Sequence, residues 1–387
     1  MKIKLHGFGI LLLACLFFVG CSSEEEPDWF EDEITVEMST PWPIISNDID
    51  IELYSHRVIE SPIEFLPFIE EAGPFSRLTG LPIDDEGLYR RPLAMVINNS
   101  TAAWPQSGIA SADVVYEVLA EGDVTRLVAV FQSYIPEKIG PIRSARDYFV
   151  DFAFNHGSIF IHHGGSPSGY ARIRSLHITS IDGMAFEGST FWRDRSFPEW
   201  TGNTGRRSLE HSSFTGREQL LTHFYNRGTR WYWRANPDEF GFDFNYSHVQ
   251  TVLDSDAGGQ AYIATVQFSA AYFRRFIFDH ETGLYFLENR HGPYLDACTQ
   301  EQVAVGNILV QFTNKRVVDA IGRRDVDTVG SGRGYLISGG RYQPVYWAKD
   351  SHEDPMRWYL PDGSSLRLQP GRIWICVFQS NGNVVFE

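Results

Sequence analysis

From residue 93 onward the apolar residues fall in short runs broken by turn formers, and this spacing constrains the fold more than any other feature. Leu93-Ala94-Met95-Val96-Ile97 is a continuous apolar run of strand length, closed by Asn98-Asn99. Val114-Val115-Tyr116-Glu117-Val118-Leu119 and Arg126-Leu127-Val128-Ala129-Val130-Phe131 flank Glu121-Gly122-Asp123, the pattern of a β-hairpin with a glycine in its turn. Residues 144–154 carry apolar side chains at helical spacing, with Ser144 as the expected N-cap. Ser158-Ile159-Phe160-Ile161-His162 reads as another strand, followed by a helix through Leu176. Strands and helices mix here without a strict βαβ rhythm, so the region 70–240 is expected to be α+β. The stretch 238–259 has scattered Asp, Asn and Gly and reads as a connection. Beyond it, strand-length runs such as Ile308-Leu309-Val310-Gln311-Phe312 and Ile373-Trp374-Ile375-Cys376-Val377 alternate with turns such as Ser338-Gly339-Gly340. The region 258–387 is therefore expected to be mostly β. Gly330-Ser331-Gly332-Arg333-Gly334 lacks the Lys-Ser/Thr of a phosphate-binding P-loop and is expected to join two strands. Asp319, Arg323, Arg324, Asp325 and Asp327 read as a solvated face or loop.

The N-terminus sets a location. Lys2 and Lys4 precede an apolar run from Phe8 to Val19. At about a dozen residues that run is too short to cross a hydrocarbon core, which needs roughly 20, and it suits a signal peptide. Phe18-Val19-Gly20-Cys21 resembles the bacterial lipobox, which implies a chain cleaved before Cys21 and diacylated (as with palmitate) on its thiol. Two acyl chains suffice for stable anchoring to the cell membrane, here on the extracytoplasmic face. Residues 22–62 are acidic and poor in apolar clusters, as in Ser22-Ser23-Glu24-Glu25-Glu26, and read as a disordered tether. The 387 residues, 43% of them hydrophobic, leave enough chain for about two globular domains after this leader. A formal net charge of −16 argues against nucleic acid as a partner, because no basic phosphate-neutralising composition is present. Aromatic residues at 14% are expected mainly in the core, with a carbohydrate or peptide surface as the alternative.

Of 4 cysteines, Cys15 leaves with the signal and Cys21 is lipidated. Cys298 and Cys376 remain, either as a long-range disulfide or as free thiols. With no CxxC pair and no HExxH, neither a metal nor another cofactor is expected.

Several motifs together carry a family resemblance. Pro92-Leu93-Ala94-Met95-Val96-Ile97-Asn98-Asn99, the stretch from Gln106-Ser107-Gly108 to Glu121-Gly122, and Ile139-Gly140-Pro141-Ile142-Arg143-Ser144-Ala145-Arg146-Asp147 resemble the N-terminal domain of the YerB-like lipoproteins. His163-Gly164-Gly165-Ser166-Pro167 and Phe191-Trp192-Arg193-Asp194 extend the likeness. Gly306-Asn307-Ile308-Leu309-Val310-Gln311, Tyr346-Trp347-Ala348-Lys349 and Leu368-Gln369-Pro370-Gly371-Arg372 resemble that family's C-terminal domain. The resemblance implies a bacterial envelope lipoprotein of two paired domains and implies no reaction. In one place the chain departs from the pattern. Relatives tend to read His-Asn-Leu-Tyr where this chain has His211-Ser212-Ser213-Phe214, so a role resting on that Asn and Tyr does not carry over.

Several charged residues of the first domain form, if they converge, an anion-binding cleft with a His general base; the alternative is a set of structural ion pairs with a turn-forming Gly-Gly. Arg143, Arg146 and Asp147 surround an expected helix start, where backbone N–H groups and guanidinium forks favour phosphate or carboxylate. Glu117, Glu121 and Arg126 are charged groups in or beside apolar strands, and Glu121 with Arg126 also suits an ion pair across the hairpin. His162 and His163, followed by two glycines and Ser166, put imidazoles at a strand end, with Arg193, Asp194 and His211 as further candidates. Adjacent strand positions face opposite ways, so the two histidines are not expected to share a ligand. Two functions remain open at this stage. One is a non-catalytic binding or accessory protein that recognises an anionic glycan, a wall polymer or a protein partner. The other is a hydrolase or transferase of such a polymer, with no GxSxG or SxxK motif to support it.

Overall fold

Strands buried on both faces read as nearly unbroken apolar runs, and six such runs, 93–98, 114–119, 125–131, 159–162, 307–313 and 373–379, make the centre of this molecule. The computed structural model describes residues 74–387 apart from 234–237, 247–257, 271, 321 and 380–383. The signal peptide, Cys21 and the tether lie outside the described residues. In the N-terminal region the strands are β1 (Leu93–Asn98), β2 (Val114–Leu119), β3 (Thr125–Phe131), β4 (Ile159–His162) and β5 (Ser180–Asp182). Two short strands follow, β6 (Trp192–Arg193) and β7 (Ser213–Phe214). The helices Asp147–Phe154, Pro167–Ser175 and Arg217–Arg227 complete this mixed α/β part. The C-terminal region is strand-rich, as its turn spacing predicts.

The two regions share one sheet. Its strand order is Arg357–Tyr359, Arg341–Lys349, Gly330–Ser338, Asn307–Thr313, Ile373–Gln379, β2, β3, β1, β4, β5. The joint is parallel, with Val114 opposite Ile373 and Val118 opposite Val377. Both β2 and Ile373–Gln379 are apolar on alternate faces and need cover on each. One face packs on Tyr148, Phe149 and Phe152 of the Asp147–Phe154 helix. The other packs on Leu220 and Phe224 of the Arg217–Arg227 helix, and on Ala264, Phe276 and Leu287 of a second, antiparallel sheet. That sheet alternates buried and more open positions in Ile263–Gln267 and Tyr285–Asn289, the pattern of strands covered on one side.

Across the joint lies a buried ion pair. Arg274 donates to Glu117 through Nε at 3.0 Å and Nη2 at 3.1 Å, and both side chains are 1% exposed. Asn99, Thr125 and Trp374 also donate to the Glu117 carboxylate. The Arg274 guanidinium sits 4.1 Å from the Tyr294 ring centre.

Three local expectations change. The helix expected from Ser144 begins at Asp147 with Arg146, not Ser144, at its cap position. Residues 143–145 are drawn into strand-like bonding with 163–166 instead, through Ala145 N to Gly164 O at 2.9 Å and Ser166 N to Ala145 O at 3.1 Å. Gly330-Ser331-Gly332-Arg333-Gly334 is the first half of the strand Gly330–Ser338, not a linker. A Cβ at Gly332 would lie 2.6 Å from Trp347 Nε1, so glycine there serves close packing. Arg324 is no solvated charge, since it donates to Ala120 O at 3.0 Å and Gly122 O at 2.7 Å and clamps the β2–β3 turn. Cys298 and Cys376 are both free thiols, Cys298 exposed and Cys376 buried, so the disulfide alternative falls.

Candidate functional site

Because β1, β4 and β5 run parallel, their carboxyl ends bring Asn98, His162-His163 and Asp182 to one edge of the sheet. In open sheets with parallel strands this edge is where loops gather and ligands bind. The segment 143–146 crosses it, fixed by Arg143 N to Val96 O at 2.7 Å and His163 N to Arg143 O at 3.0 Å.

The two histidines face opposite ways, as adjacent strand positions must. His162 stacks on Phe160 on the helix-covered face and is 1% exposed. Its Nδ1 lies 2.8 Å from Gly164 O, so Nδ1 carries the proton and Nε2 is a buried lone pair with no partner. Asp182 Oδ1 is 3.9 Å away but is committed to Gly164 N, Met184 N and, through Oδ2, the Tyr170 hydroxyl. Burial pushes the His162 pKa down, opposed by Asp182.

His163 turns to the other face. Its Nδ1 meets Ser213 Oγ at 2.8 Å and its Nε2 meets Arg193 Nη2 at 2.9 Å. Arg193 also holds Glu187 in a two-point pair, both bonds 2.8 Å, and donates to Leu209 O at 2.7 Å. Burial and then Arg193 lower the His163 pKa. Alongside, His211 Nδ1 lies 2.6 Å from Asn98 Nδ2, and Arg143 donates to Glu210 at 2.9 Å. Burial is the largest cause of a lowered His211 pKa.

A cavity of about 620 Å³ opens next to Arg193 and is walled by Asp194, Arg195, Phe197, Glu199 and Arg206. Asp194 is tied to Lys138 Nζ at 2.5 Å and to Ser196. Although burial opposes it, these bonds hold the Asp194 pKa down at about 2. Arg195 spends its Nε on Arg207 O, and Arg206 is exposed. Three guanidinium groups around an open cavity suit a phosphate or carboxylate.

The candidate residues thus divide. Arg143, His163, Arg193, Asp194 and His211 belong to this face. Glu121, Arg126 and Arg146 form a closed triad instead: Glu121 takes Arg126 Nη2 at 2.5 Å on one oxygen and Arg146 on the other. Burial, then the neighbouring Arg146, lowers Arg126 to about 10. The hairpin ion pair expected from sequence is therefore present, and a free anion fork at Arg146 is not. Ser166 caps the Pro167–Ser175 helix by accepting from Gly169 N at 3.0 Å. Asp147 opens the other helix with Oδ1 on Tyr148 N. Glu117 lies in the core with Arg274, away from the edge. Sequence reasoning did not single out Asn98, Glu187, Arg195, Arg206 and Ser213. The arginines at 193, 195, 206 and 207 were the signal available for the cavity. Among the described residues no group of three His, Cys, Asp or Glu is placed to hold a metal ion.

Comparison with known proteins follows the same division of the chain. Residues 78–230 match the family model described as "Protein of unknown function (DUF3048) N-terminal domain". Residues 264–375 match the corresponding DUF3048 C-terminal domain. A Bacillus subtilis (strain 168) protein named "Putative lipoprotein YerB" is 33% identical over 303 residues, which is 77% of this chain and 84% of that protein. The crystal structure of YerB from Bacillus subtilis superposes with a TM-score of 0.68 at 30% identity, covering 81% of this chain and 99% of the other.

Proposed function

The chain belongs to the two-domain YerB-like family, and on that premise we propose that it is a lipid-anchored protein of the bacterial envelope that binds an anionic envelope polymer without catalysis. The lipobox-like Phe18-Val19-Gly20-Cys21 and the relative's name support the anchor, with Cys21 as the lipidated residue and the extracytoplasmic face as the location. No helix among the described residues is long and apolar enough to cross a membrane. The observation that carries the binding reading is the cavity lined by Arg193, Arg195 and Arg206, which reaches His163 through Arg193. Its lining carries three arginines against Asp194 and Glu199, a local excess of cations in a chain of net charge −16.

A hydrolase or transferase reading is weaker. His162 is sealed beneath the surface, and both ring nitrogens of His163 already have partners. Neither imidazole reaches a polymer bond as it stands.

The test is binding of purified anionic wall polymer to the secreted protein and to an Arg143→Ala/Arg206→Ala variant. Loss of two charge-assisted contacts should weaken binding by at least about tenfold and flatten its salt dependence. Equal affinity and equal salt dependence would remove the arginine face from the function.

A further inference from the structure

The geometry points to a proton-controlled latch at the polymer-binding face, in which His163 decides whether Arg193 is held back on Glu187 or released into the cavity. This rests on the anion-binding reading above and adds its regulation.

Donors and acceptors fix the proton positions at His163. Every guanidinium nitrogen is a donor, so Arg193 Nη2 at 2.9 Å from His163 Nε2 requires a lone pair on that nitrogen. Nδ1 then carries the ring proton and donates to Ser213 Oγ. In this state four of the five Arg193 N–H groups are spent: Nε and Nη2 on Glu187, Nη1 on Leu209 O, Nη2 also on His163. It lines the cavity yet has one Nη1 N–H left to offer it.

A proton on Nε2 reverses this. Two donors now face each other at hydrogen-bond distance, which is repulsive, while the imidazolium stands 3.7 Å from Glu187 Oε2. A second cation then competes for the carboxylate that Arg193 holds at 2.8 Å, and Arg193 loses an acceptor and part of its counter-ion together. The side chain is a quarter exposed and already borders the open cavity, so the released guanidinium has a place to go. The other groups around the ring are Asp182 of β5, which favours the imidazolium, and His162, which opposes it. Burial and Arg193 keep His163 neutral at ordinary pH, so the proton enters only on acidification. The same event adds a positive charge next to the anion site.

Two readouts separate the latch from the site it serves. In the free protein, NMR signals of the Arg193 side chain should shift with the titration of His163, and should not shift in His163→Gln, whose amide oxygen accepts from Arg193 at any pH. Arg193 signals that ignore the His163 titration would overturn the latch whatever the protein binds. The second readout is affinity for linear inorganic polyphosphate at fixed ionic strength, at about pH 7.5 and at about pH 4.5, the lower value set well below the ordinary histidine range because burial and Arg193 shift His163 downward. Wild type should bind about tenfold more tightly at the lower pH, the value of one added charge-assisted hydrogen bond. His163→Gln should bind weakly at both, and Glu187→Gln tightly at both. Wild-type pH dependence surviving in His163→Gln overturns the proposal. A latch that moves in NMR while polyphosphate binds at neither pH would refute the anion-binding reading and, with it, this regulation. Polygalacturonate in parallel distinguishes a carboxylate ligand from a phosphate one.

Discussion

At the scale of single residues, the Glu117–Arg274 pair shows where a charge can be read from sequence and where its meaning cannot. Glu117 interrupts an apolar strand, which marks it as purposeful. Its partner stands 157 residues further on, and no local pattern connects the two. A site role was the natural expectation, and a core role is what burial and five donated hydrogen bonds give it. Glu117→Ala leaves Arg274 buried and unpaired, and should cost about 3–5 kcal/mol in urea unfolding. The double change Glu117→Ala/Arg274→Met should recover much of that loss, because no charge is then left without its counter-ion. A single-variant loss below about 1 kcal/mol would contradict the assignment. His163 and His162 were legible as far as chain geometry goes, since opposite faces follow from strand pleating alone. Their partners Arg193 and Asp182 come from other strands, β6 and β5, and were not.

At the scale of elements, strand positions were legible because unbroken apolar runs leave few alternatives. The helix start at residues 144–147 was not. A serine before a helical pattern is a good cap by propensity, yet here backbone pairing with 163–166 competes and wins. Ser166 shows the same rule succeeding, as it caps its helix through Gly169 N. Ser166→Ala should therefore cost about 1 kcal/mol of stability and leave polymer affinity unchanged. Thermal unfolding and the binding assay together check this. A change in affinity with no change in stability would return Ser166 to the site.

At the scale of the molecule, the histidines give folding stability a defined pH dependence. His156, buried against Tyr116 with its Nε2 at 2.8 Å from the hydroxyl, is held down at about 4, chiefly by burial. His162, His163, His211 and His223 are lowered too, burial being the largest cause each time. Since the folded pKa lies below the unfolded one, the unfolded chain takes the proton first. Stability is thus complete above about pH 6.5 and declines as pH falls toward about 4, with His156 alone contributing on the order of 3 kcal/mol. Urea midpoints across that window should fall with acidification, and more gently in His156→Gln. What no sequence pattern revealed is the joint itself, where Ile373–Gln379 lies in the interior of the sheet between Asn307–Thr313 and β2. A ribosome makes the chain from its N-terminus, so this central strand is delivered after every other strand of its sheet. Until residues 373–379 emerge, β2 and Asn307–Thr313 each present a bare edge, and the two halves of the sheet have no strand to join them. It also follows that a stop codon just before residue 373 would damage the middle of the architecture and not its rim.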